Sequence, residues 1–140
     1  MKKIYFILLL FLALNNAYAQ GNKEKIESIR VAFITKEVNL TPSEAQLFWP
    51  LYNEYIDKLE AVKLQRKESR KIMEKGANAN DAEINQVLKA EVLCREKEAA
   101  LFKEYQEKFK KVISPRKIAD LYKAEEEFKK ELIKQLKESK

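Results

Sequence analysis

The chain has 140 residues, a formal charge of +6, no histidine and a single cysteine. Absent histidine and a lone thiol exclude a typical zinc or copper site and any disulfide within the chain. Lysine and glutamate are interspersed rather than segregated, which describes solvated helix faces and argues against a nucleic-acid partner.

Lys2 and Lys3 precede an unbroken apolar run of eleven residues, Ile4 to Leu14, and then Ala17-Tyr18-Ala19. That pattern predicts a cleavable signal peptide over 1–19 and a mature chain starting at Gln20. The run is too short to span a bilayer, which needs about 20 residues. Export to the periplasm is therefore expected, with no stable membrane insertion after cleavage. The mature 121 residues (140 minus 19) suit one domain of 20–140, and losing the two lysines lowers the charge to +4.

Gly21 and Gly76 are the only glycines, and Pro42, Pro50 and Pro115 the only prolines. So few breakers among Ala, Leu, Glu, Lys and Gln predict an all-α chain of four helices. The first covers about 23–37, with Ile26, Ile29, Ala32 and Phe33 at helical spacing.

The second helix is announced by "LTPSE", residues 40–44. Thr41 can cap the N–H of Glu44 while Glu44 reaches back to that of Thr41, a capping box, with Pro42 at the first helical position. The helix is expected to reach about Lys75, its inner row being Phe48, Tyr52, Tyr55, Leu59, Val62 and Met73, with Arg66 and Ser69 at two steps. Pro50, directly after the only tryptophan, removes the N–H that would bond the carbonyl of Gln46. A kinked continuous helix is preferred over two short ones, because apolar spacing stays in phase from Phe48 to Tyr55. Phe48, Trp49, Tyr52 and Tyr55 are the candidate client or dimer surface. The same spacing also suits Phe48, Tyr52 and Tyr55 to a core, and Trp49 stands between the two uses.

"GANAND", residues 76–81, reads as the turn, with an N-cap at Asn80 or Asp81. The third helix, about 82–113, is expected to pack Ile84, Leu88, Phe102, Tyr105, Phe109 and Val112, its row interrupted by Glu91, Arg95 and Glu98. An antiparallel partner turning near Asn78 would set Arg66 against Glu91 and Glu60 against Arg95, candidate interhelical ion pairs. Cys94 is either a buried small apolar residue or a link between two chains.

A weaker copy of the first helix start lies 73 residues on. Ile113, Ser114 and Pro115 stand where Leu40, Thr41 and Pro42 did, and Leu121, Tyr122 and Phe128 where Phe48, Trp49 and Tyr55 did. Ser114 caps the fourth helix, but Lys117 replaces Glu44, so the box is incomplete. This helix carries Ile118, Leu121, Tyr122, Phe128, Leu132 and Leu136. The two central segments, at about 30 residues and roughly 45 Å each, suit a long antiparallel hairpin flanked by two shorter helices. Such a body leaves apolar surface for a partner chain.

An exported helical chain with two such starts resembles the LTxxQ-motif (Spy/CpxP-like) periplasmic proteins. "IRVAFITKEVNLTPSEAQLFWPLYNEY", residues 29–55, is similar to a Bacteroidetes-type branch often labelled sensor of ECF-type sigma factor. The family's Gln is Glu44 here and Lys117 in the copy. The resemblance implies a cradle-shaped homodimer without enzymatic activity that holds unfolded clients or restrains a membrane sensor. The sequence offers no paired nucleophile and base and no phosphate loop, and implies no cofactor. Chaperone-like holding of clients is the leading expectation. A signalling accessory that binds a sensor kinase or anti-sigma factor is the alternative, and a structural adaptor the third.

Overall fold

The computed structural model describes residues 21 and 24–138, apart from the side chains of Lys75, Ala77 and Leu136; the expected signal peptide and its cleavage site lie outside the described residues. The described chain is all-helical, with no strand among the described residues. Helix α1 covers 24–37, α2 Pro42–Arg70, α3 Asp81–Lys110 and α4 Pro115–Glu138, with a 3-10 helix, Lys71–Asn78, between α2 and α3. Among these helices is none long and apolar enough to cross a membrane.

The chain divides into two compact units, one of residues up to Asn39 and from Ala119 onward, the other Leu40–Ile118. In the first, Ile34 of α1, Val38 just after it, and Leu121 and Ala124 of α4 are buried. Phe33 and Phe128 meet with ring centres 5.7 Å apart, and the Arg30 guanidinium lies over the Phe128 ring. Two expected α1 core positions are instead exposed, Ile29 and Ala32, because the buried row runs through Ile34 and Val38. Asn39 ends this segment with φ +53°, a left-handed conformation that Asn adopts more readily than most residues.

In the second unit, α2 begins as its sequence dictates. The Thr41 hydroxyl accepts from the Glu44 N–H at 3.2 Å, and Glu44 Oε2 accepts from the Thr41 N–H at 2.8 Å. Thr41→Ala should lower stability by about 1 kcal/mol, read as a fall in urea midpoint, and Thr41→Ser should restore most of it. The helix continues without a break through Pro50. Gln46 and Pro50 both lie on the exposed face, where water can satisfy the carbonyl that Pro50 leaves without a donor.

Contacts between α2 and α3 run in opposite chain directions. Phe48 meets Phe109 at 5.2 Å, Tyr55 meets Tyr105 at 5.1 Å, and the Cys94 thiol approaches the Val62 carbonyl at 3.9 Å. The α-helical part of α2 stops at Arg70, earlier than expected, and the chain tightens into the 3-10 turn, with Met73 mostly exposed. Gly76, at φ +56° and ψ −130°, supplies a backbone conformation that side chains oppose. Asn80 is the N-cap of α3, and Glu83 completes a second capping box that the sequence reading missed.

On α3 the inner row differs from the expected one. Val87, Cys94, Tyr105 and Phe109 are buried and Leu101 half-buried, whereas Leu88 and Phe102 face outward. Burial in the two helix starts repeats with the sequence. Leu40 and Ile113 are buried, as are Phe48 and Leu121, while Trp49 and Tyr122 are half-buried.

Candidate functional site

Of the four aromatic residues singled out as a surface, three are core. Phe48, Tyr52 and Tyr55 are buried, stacked among themselves and against Tyr105 and Phe109. They leave the candidate surface because rings at 3-4 spacing fill the α2–α3 seam first. Trp49 stays half-buried, edge-on to Phe48 at 5.1 Å and to Tyr52 at 5.3 Å. The Tyr105 ring is flanked by two ammonium groups, Lys108 at 4.2 Å and Lys58 at 5.2 Å from its centre. Glu104 and Glu54 hold those lysines from one turn earlier on their own helices.

Past Val62 and Cys94 the seam turns polar. Arg66 donates to Glu98 at 2.7 Å and its Nε lies 3.5 Å from Glu91 Oε2. Arg70 donates to the same Glu91 oxygen at 2.7 Å, and Arg95 reaches the other at 3.3 Å. The Arg70 guanidinium, with Arg66 and Arg95 behind it, holds the Glu91 carboxyl below its ordinary range. Arg95 bonds Glu91, one turn earlier on its own helix. Cys94, not Arg95, occupies the inner position, which leaves Arg95 on the outward side, one residue further round. Arg70 and Glu98, which the sequence reading did not pair, complete the cluster.

The two helix starts meet through side chains. Ser114 Oγ accepts from the Lys117 N–H at 3.3 Å, so α4 has its cap but no box. The Lys117 ammonium instead bonds Glu44 Oε2 at 2.5 Å. Sequence-equivalent residues 73 positions apart therefore form one ion pair, both partners being partly buried. Ser114, Pro115, Thr41 and Pro42 are exposed and build these helix ends rather than a pocket.

The outward face of α3 carries the apolar surface that the aromatic cluster does not. Leu88 is 58% exposed, Val92 57% and Phe102 43%, and the exposed Ala99 continues the row. Their 4-7-3 spacing keeps them on one stripe, with Arg95 at its centre, and Lys89, Glu96 and Lys103 border it. The stripe lies about 100° round the helix from the buried row, since each member follows a buried or half-buried residue by one position. Exposed apolar residues this regular mark contact surfaces more often than scattered ones do.

Among the described residues no group of acidic, histidine or cysteine side chains could hold a metal ion. No family model, no curated protein and no solved structure matches this chain.

Proposed function

We propose that this protein is a non-enzymatic periplasmic binding protein of the envelope-stress type, which holds unfolded clients as a chaperone does. In this reading the chain is exported by its cleaved signal peptide, α2 and α3 form a long hairpin flanked by α1 and α4, and two copies form a cradle-shaped homodimer. The observation that carries it is the α3 stripe of Leu88, Val92, Ala99 and Phe102 around Arg95. Apolar contact there is repeated rather than shaped for one ligand, and mixed charge beside it can attract a client before apolar contact retains it.

The test is aggregation of a chemically unfolded, unrelated client with stoichiometric protein, without nucleotide or metal. Aggregation should slow, and slow less as salt rises, because exposed charges are screened beyond about 8–10 Å at physiological ionic strength. Leu88→Ser/Phe102→Ser should remove at least half of the protection while helix content is kept, since neither side chain is part of the buried core. Unchanged aggregation alongside tight binding to one membrane-sensor domain would replace the chaperone reading with the signalling accessory.

A further inference from the structure

The two ends of the α2–α3 seam are built from different materials. One end buries five large rings, Phe48, Tyr52, Tyr55, Tyr105 and Phe109, each within about 6 Å of another. At the other end the buried residues, among those described, are Val62, Val87 and Cys94. Its half-buried positions include Arg66, Ser69, Glu91 and Glu98 beside the smaller apolar share of Ile72, Ile84 and Ala90. Burying a large side chain contributes about 1.5–3 kcal/mol, so the ring end holds most of the apolar stabilisation.

Charges close the polar end. Arg66 is 19% exposed, and its Nε is buried without a hydrogen bond although Glu91 lies near. Partly desolvated ion pairs give back in lost hydration much of what they gain by attraction. The segment that joins the helices here is 3-10, whose hydrogen-bond geometry is poorer than that of an α-helix. Regions with few buried apolar contacts open locally at lower free energy than the whole fold.

We infer that the part of the α2–α3 pair from Val62 and Cys94 to the 3-10 turn is a separately opening unit, locked by the Arg66–Arg70–Glu91–Glu98 cluster and released while the aromatic end stays packed. Opening uncovers Val62, Val87 and Cys94 beside Leu88 and Val92, which enlarges the apolar surface of α3. That use of the opening rests on the proposed binding function; the opening itself does not.

Cys94 and Trp49 provide separate reporters of the two ends. In the full mature chain at fixed neutral pH, the rate at which a small aromatic disulfide reagent modifies Cys94 is followed through rising urea below the unfolding transition. Trp49 emission over the same range reports the aromatic end. Cys94 should react at least tenfold faster than global unfolding permits, with less than half the urea dependence of the Trp49 transition. Glu91→Gln should raise that rate a further tenfold without moving Trp49 emission in the absence of urea. Arg66→Met/Glu91→Leu/Glu98→Leu, which replaces the lock by apolar packing, should slow the reaction toward the global limit. Coincident urea dependences in the unaltered protein would overturn the separate unit. That arm decides alone if the triple variant does not fold. A triple variant that folds yet reacts as before would overturn the charge lock in favour of fraying from Gly76. None of these readings involves a client, so they stand or fall apart from the aggregation assay.

Discussion

Phe48→Ala should lower the stability of the protein by about 3–5 kcal/mol, the range for removing a fully buried ring from a core that cannot collapse around the gap. Phe48 has no exposed surface and touches three other rings, those of Trp49, Tyr52 and Phe109. Two of these neighbours share its helix and the third is held on α3, so backbone movement cannot refill the space. Urea unfolding followed by far-ultraviolet circular dichroism measures the loss. Trp49→Ala is the control: that residue is only half-buried, and it should cost clearly less. A loss for Phe48→Ala below about 1 kcal/mol would mean that the ring does not hold the seam.

The helices and their starts were legible because their signals are local. "LTPSE" contains the whole α2 cap, and Ser114-Pro115 announces α4 without any distant partner. The inner row of α2 was legible too, since from Phe48 to Ser69 one stripe alone fits. On α3 two stripes compete. Val87 and Leu88 are adjacent apolar residues, as are Leu101 and Phe102, so hydrophobic spacing accepts either member of each pair. The sequence did hold a deciding signal at the step between them. Cys94 can be buried without a polar partner and Arg95 cannot, which selects the row through Val87, Cys94 and Leu101. Choosing the other row set Arg95 inward, and the expected partnership with Glu60 followed from that choice. It also hid the outward stripe of Leu88, Val92 and Phe102, on which the proposed function now rests. The bond between Glu44 and Lys117 was illegible for another reason. The substitution that spoils the second capping box is visible in sequence, but that its ammonium finds the first box depends on tertiary placement.

That bond gives the prediction with the next largest effect. Glu44→Lys removes the carboxylate that closes the α2 capping box, puts a cation at the positive end of the helix, and sets two ammonium groups together. All three changes act in the same direction, and the melting temperature should fall by several degrees. Lys117→Glu alone should do less harm, because Glu at that position can complete a box with Ser114 while it opposes Glu44. Combining the two restores an ion pair with its charges exchanged, so the double variant should be more stable than the sum of the single losses allows. Strict additivity would mean that Glu44 and Lys117 do not interact in solution. Acid provides a second reading of the same contact. The Lys117 ammonium, then the Thr41 N–H, hold the Glu44 carboxyl below its ordinary value of 4.5. A lowered value means that the folded chain favours the charged form, so the contribution is complete above pH 4.5 and disappears as pH falls through the folded value. The stability gap between the unaltered protein and Glu44→Gln, which keeps a box but not the charge, should be constant near neutrality and close within that acid window. A gap that persists unchanged below it would assign the effect to side-chain shape rather than to the ion pair.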